Sequence, residues 1–147
     1  CRPASMRMEM QTLGGVRIIN DAYNSNPDSL LAALETMGLF PTGGKRIAVL
    51  GDMAELGQAS EFAHVEVGRL AARHGMDGLV AVGQWANKMV RAAQEEGLAN
   101  VAAFDDINVA GQALAVKLSP GDLVLIKGSR AARMERIIEP LREAMKL

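Results

Sequence analysis

The sequence has one cysteine in 147 residues, Cys1. A single thiol excludes an intrachain disulfide and a cysteine-built metal site, and it fits a reducing, cytoplasmic setting. Aromatics are scarce, with three Phe, one Trp and one Tyr, too few for the stacking platforms that hold single-stranded nucleic acid. Neither sign of charge dominates: sixteen Lys and Arg face seventeen Asp and Glu, for a formal net charge of −1. That balance removes the electrostatic footprint of nucleic-acid or anionic-membrane binding. No apolar run is long enough to span a bilayer, and no charged segment followed by an apolar stretch marks a signal peptide. Two glycine fingerprints are missing as well. The phosphate loop GxxxxGK(S/T) is absent, and so is the dinucleotide pattern GxGxxG.

Hydrophobic residues make up 49% of the chain and charged residues 22%, the composition of a folded globular protein. The length suits one domain with a core that needs no staples. A first residue that is Cys rather than Met leads to the expectation of a piece from a longer chain.

The order of elements is legible. Arg7 to Gln11 alternates, Gly14-Gly15 punctuates, and Val16 to Ile19 follows, which predicts a β-hairpin. Asn26-Pro27 predicts a capped helix start, continued by Leu30, Leu31, Leu34 and Met37 at helical spacing and ended at Gly38 and Pro41. Arg46 to Leu50, Leu79 to Val82, Val101 to Phe104 and Leu123 to Ile126 are apolar runs of the kind buried on both faces. Helices are predicted between them: from a Ser60 cap to Arg73, from Gln84 to Glu96, and from an Asp105 or Asp106 cap to Leu118. A last helix fills most of the remainder. Strand and helix alternating in this way predict an α/β fold, an open, doubly wound, mostly parallel sheet (Rossmann-like) with an N-terminal hairpin.

In such sheets ligands bind beyond the carboxyl ends of the strands, which selects three loops. Asp21 to Pro27 holds an acid, a phenol and amides. Asp21 at a strand end suits ribose hydroxyls, and Tyr23 and Asn24 suit a base edge, while Asn26 reads as a helix cap. Gly51 to Gly57 sets Asp52 and Glu55 between glycines, where paired acids can hold an ammonium group, a metal or a hydroxyl. Lys127-Gly128-Ser129-Arg130 places two cations around a Gly-Ser before a helix, a combination suited to a carboxylate or phosphate. His64 and His74 are too far apart for an i, i+4 ligand pair and read as structural. Trp85 reads as a packing residue at a helix start, and the methionines as core filler. No nucleophile elbow is present.

The strings Asp21-Ala22-Tyr23-Asn24-Ser25-Asn26-Pro27, Gly51-Asp52-Met53-Ala54-Glu55-Leu56-Gly57 and Lys127-Gly128-Ser129-Arg130 resemble the C-terminal domain of the Mur ligases, in order and over essentially the whole chain. Within the family the chain is most similar to the member that joins D-alanyl-D-alanine to UDP-N-acetylmuramoyl-tripeptide in peptidoglycan precursor synthesis. The resemblance implies a three-domain enzyme, with a UDP-sugar domain and a central ATPase domain carrying the phosphate loop outside residues 1–147. It implies ATP and Mg²⁺, both bound mainly by the central domain, and an acyl-phosphate intermediate attacked by the dipeptide amine. On the same resemblance Arg7 (with Arg2 as a rival) reaches the ATP phosphates, and Asp21, Tyr23 and Asn24 serve the nucleoside. Asp52, Glu55, Lys127, Gly128, Ser129 and Arg130 serve the D-alanyl-D-alanine side. No catalytic residue and no metal ligand is expected within the chain, and the chain alone is expected to be inactive. Alternatives are another Mur ligase, a folylpolyglutamate-type ligase, or a non-catalytic nucleotide-binding domain.

Overall fold

The computed structural model describes residues 8–22, 25–53 and 57–147. Among the described residues one sheet forms from six strands: β1 (Glu9–Leu13), β2 (Val16–Asp21), β3 (Arg46–Gly51), β4 (Gly78–Val82), β5 (Val101–Phe104) and β6 (Leu123–Lys127). Their spatial order is β1-β2-β6-β3-β4-β5. Only the β1–β2 pair is antiparallel; the others run parallel. The hairpin lies two residues later than the alternation from Arg7 indicated, with Arg7 itself outside the described residues. Its turn is the Gly14-Gly15 pair, with φ of 55° and 82°. That backbone matches the twist of the flanking strands and is open to glycine at little cost.

The helices are α1 (Pro27–Met37), α2 (Ser60–Arg73), α3 (Ala86–Glu95), α4 (Ile107–Lys117) and α5 (Ile138–Ala144). Asn26 caps α1 as expected: its side chain accepts from Ser29 N at 2.8 Å, and Ser29 Oγ accepts from Asn26 N at 3.0 Å. Asp106 is the cap of α4, its Oδ1 accepting from Asn108 N at 2.7 Å. Ser60 is not a cap. A 3-10 turn (Gly57–Ala59) runs straight into α2, and Ala59 before it already has helical backbone (φ −81°, ψ −2°), so no extended residue stands where a cap side chain works. The long final helix also gives way, to 3-10 turns at Arg130–Ala132 and Met134–Ile137 and then the short α5. Between those turns Arg133 adopts a left-handed backbone (φ 50°, ψ 49°). Pro140 has no N–H to continue an earlier helix and is tolerated in the first turn of α5.

Strand alternation divides the core in two. Ile19, Ala48, Leu50, Leu79, Ala81, Leu123 and Leu125 meet α1, α2 and α3 on one face. Ile18, Ile47, Val49, Val80, Val124 and Ile126 meet α4, Met134, Ile137 and Leu141 on the other. The chain therefore leaves β2, β3 and β4 toward one face and leaves β5 and β6 toward the other. Because β6 lies between β2 and β3, its exit loop diverges from both neighbours. That divergence is the topological switch at which open α/β sheets make their crevice.

At the opposite end of β6, Asp122 is almost fully enclosed (1% exposed). It accepts from the backbone N–H of Lys45 at 2.8 Å and of Ser119 at 2.9 Å, with Lys45 Nζ 3.0 Å away. Burial pushes its carboxyl pKa up, but these donors outweigh burial and hold it below the usual carboxylate value. Asp122→Ala is expected to cost about 3 kcal/mol in urea unfolding, the order for orphaning buried backbone donors and an ammonium. A pKa lowered on folding gives stability that is complete above the ordinary carboxylate value and is lost as pH falls through the lowered one. The stability gap between wild type and Asp122→Asn should thus narrow below about pH 4.

Candidate functional site

The three loops picked from the sequence leave three adjacent strands, β2, β6 and β3. Register aligns their ends: Asp21 pairs with Lys127 across β2–β6, and Leu50 pairs with Lys127 across β3–β6. Asp21 and Lys127 continue the side-chain rows of Ile19 and of Leu123 and Leu125, so the apolar face covered by α1–α3 ends at the switch point in an acid and a base. Lys127 Nζ donates to Asp21 Oδ2 at 2.8 Å, with side chains 2% and 13% exposed. Residues read as serving different ligands are thus in direct contact.

Gly51 and Gly128 bring the ends of β3 and β6 together. A Cβ on Gly128 would stand 2.5 Å from Met134 Cγ and 3.3 Å from Gly51 Cα, and one on Gly51 would also meet Met134 at 2.5 Å. Ser129 N then donates to the Asp52 carbonyl at 2.9 Å, tying the β6 loop to the β3 loop. Ser129 is buried, and its Oγ accepts from Ala132 N at 3.1 Å. The element that follows is a three-residue 3-10 turn rather than the α-helix expected there, so the expected α-helix dipole does not act at this loop. Its polar character comes from Lys127, from Ser129 and from the exposed Arg130.

Asp52 is partly exposed, and both its oxygens accept from backbone amides of another loop. Oδ2 accepts from Gln84 N at 2.9 Å and Oδ1 from Trp85 N at 3.0 Å, where α3 begins. Helix α3 accordingly starts at Ala86 rather than Gln84. Gly83 (φ 120°) makes room for this, since a Cβ there would stand 2.5 Å from Asp52 Oδ2. Arg7, Tyr23, Asn24, Glu55 and the rival Arg2 lie outside the described residues. Among the described residues no three His, Cys, Asp or Glu side chains stand together as a metal site, and no helix is long and apolar enough to cross a membrane.

Two residues read as structural stand beside the site. His64 is buried next to Asp52 and Met53, and its ring stacks on Trp85. A signal was present in the sequence: His64 shares the apolar stripe of α2 with Val67 and Ala71, an unusual place for an imidazole. Two of its partners, Met53 and Trp85, lie off its own helix, which hid their identity.

With this geometry in place, comparison with known proteins defines the class. Residues 6–130 match the family model described as Mur ligase, glutamate ligase domain, and the chain belongs to the Mur ligase family. Among relatives, it is 37% identical over 155 aligned positions to the UDP-N-acetylmuramoyl-tripeptide–D-alanyl-D-alanine ligase of Mycobacterium leprae, covering 92% of this chain and 29% of that protein. Crystal structure II of MurF from Acinetobacter baumannii superposes with a TM-score of 0.82 at 30% identity, over 93% of this chain and 30% of that one. The MurF ligase of Thermotoga maritima in complex with ADP gives 0.76 at 30% identity, over 95% and 31%. The chain thus spans about three-tenths of the length of these relatives.

The buried pair gives a direct test of the geometry. Lys127→Met is expected to cost about 3 kcal/mol of stability by leaving Asp21 without its ammonium. Asp21→Asn combined with Lys127→Met should lose less than the sum of the single changes, by about 1–2 kcal/mol. Strict additivity in the unfolding cycle would show that the two side chains act independently.

Proposed function

We propose that this chain is the C-terminal domain of a cytoplasmic, ATP-dependent ligase that joins D-alanyl-D-alanine to UDP-N-acetylmuramoyl-tripeptide in peptidoglycan precursor synthesis. The observation that carries the reading is the meeting of the β2, β6 and β3 exit loops at the switch point, with Asp21 against Lys127. The similarity to ligases of that name, and to a MurF structure holding ADP, supports it.

In this reading the crevice has a nucleotide side and an acceptor side. Asp21 takes the ATP ribose. A carboxylate has about four lone-pair positions, so the Lys127 ammonium leaves room for hydroxyl donors while it holds the acid in place. Tyr23 and Asn24 serve the nucleoside, and Arg7 the phosphates. On the acceptor side Lys127, Gly128, Ser129 and Arg130 take the dipeptide carboxylate, with the exposed guanidinium of Arg130 as the bidentate partner. Asp52 and Glu55 serve the dipeptide amine, Asp52 from the end of β3, where the Gln84 and Trp85 amides hold it. The amine attacks an activated tripeptide carboxyl, forming the amide and releasing phosphate. The phosphate loop and the Mg²⁺ ligands belong to a central domain of the same protein, against which this crevice closes. Phosphoryl transfer depends mainly on positioning and charge stabilisation, so the two halves are needed together and the chain alone has no ligase or ATPase activity.

The test is amide formation by the complete protein with UDP-linked tripeptide, ATP, Mg²⁺ and D-alanyl-D-alanine, each omitted in turn. Product should require all four. Arg130→Ala should raise KM for the dipeptide about tenfold or more, the order for one charge-assisted carboxylate contact, and leave KM for ATP near wild type. Amide formation by residues 1–147 alone would overturn the reading, as would preference for a single amino acid over the dipeptide.

A further inference from the structure

His64 is wholly enclosed (0% exposed), and the chemistry above makes no use of it. Met53 N donates to Nε2 at 2.9 Å, and Nδ1 lies 2.6 Å from the Ser60 carbonyl oxygen. A carbonyl can only accept, so these partners fix the tautomer, with hydrogen on Nδ1 and the lone pair on Nε2. One ring face is stacked on Trp85, with centroids 5.2 Å apart and planes 18° apart.

A histidine recruited only to fill the core would leave its Nε2 without a task. Here it reaches off its own helix to hold one loop amide. Met53, buried itself, is where the chain has just left β3. Its neighbour Asp52 is held from the other side by the amides of Gln84 and Trp85. Two consecutive loop residues are thus gripped by α2 and by the start of α3, and Trp85 joins both grips through its amide on Asp52 and its ring on His64.

We infer that His64 is a positioning residue for the acceptor side of the site: through the Met53 amide, and braced by Trp85, it fixes the backbone that leaves β3 and with it the adjoining Asp52. The inference rests on the reading that Asp52 serves the dipeptide. The imidazole itself touches no substrate. If its acceptor is removed, the Met53 N–H must find another partner, and the loop shifts to supply one. The nucleotide side is carried by β2 and α1 and keeps its geometry.

The geometry of the two amide side chains supplies the test. Asparagine reaches only the place of Nδ1 and keeps the Ser60 contact, whereas glutamine reaches the place of Nε2 and can accept from Met53. In the complete protein His64→Asn should raise KM for D-alanyl-D-alanine about tenfold, the order for one buried hydrogen bond, with KM for ATP within about twofold. His64→Gln should restore most of the loss. Hydrogen–deuterium exchange at the Met53 amide should speed up in His64→Asn and return toward wild type in His64→Gln. Equal effects on both Michaelis constants, no effect on either, or failure of glutamine to restore a folded protein would overturn the inference. If the wild-type protein forms no amide at all, the ligase reading falls. The exchange comparison then still decides the brace: an unchanged Met53 amide in His64→Asn refutes it.

Discussion

A charged side chain at the end of a buried strand must be compensated, and Lys127 imposes that constraint on this fold. Taking an ammonium out of water costs several kcal/mol, and the compensating acid is the residue directly across the β2–β6 register. A slip of one residue between those strands would put Asp21 on the opposite face and leave the ammonium beside Asn20. The ion pair therefore specifies alignment as well as charge. Alignment of β2 with β6 brings the N-terminal loop of the crevice to the C-terminal one, across more than a hundred positions of sequence.

The remaining contacts at that edge follow from the same need for close approach. Gly51 and Gly128 have no side chains where β3 and β6 end, so the backbones can converge over Met134 and Ser129 can bond to the Asp52 carbonyl. Asp52 then reaches sideways to the first amides at α3. The result is a set of strand ends tied together by backbone bonds and enclosed side chains, and polar groups held in that way are pre-organised.

The cores of β3, β4 and β6 were legible in the sequence because strands buried on both faces read as unbroken apolar runs; β5, half-buried at the sheet edge, shows a shorter run of the same kind, and Gly14-Gly15 and Asn26-Pro27 marked their turn and cap by local chemistry alone. That the three loops leave the same edge of one sheet was legible too, since alternating strands and helices make the strands parallel. What local pattern could not carry was long-range. Nothing near Lys127 indicates that its partner is Asp21, and nothing near Asp52 indicates that its oxygens turn to Gln84 and Trp85. The end of the chain misled for a related reason: it reads as one last helix, whereas the left-handed Arg133 separates two 3-10 turns and α5 begins only at Ile138.

The insertion of the last strand between β2 and β3 has a consequence for how the molecule is assembled. Until β6 is in place, the β1–β2 hairpin shares no ladder with β3, β4 and β5, and each part presents an inner strand with bare N–H and C=O groups. A chain released before Leu123 would hold two half-sheets with sticky margins and no Lys127. Pairing of β6 with both β2 and β3 therefore completes the sheet and brings Lys127 to Asp21 in one step, and that step joins distant segments, the kind of contact that is slow to close.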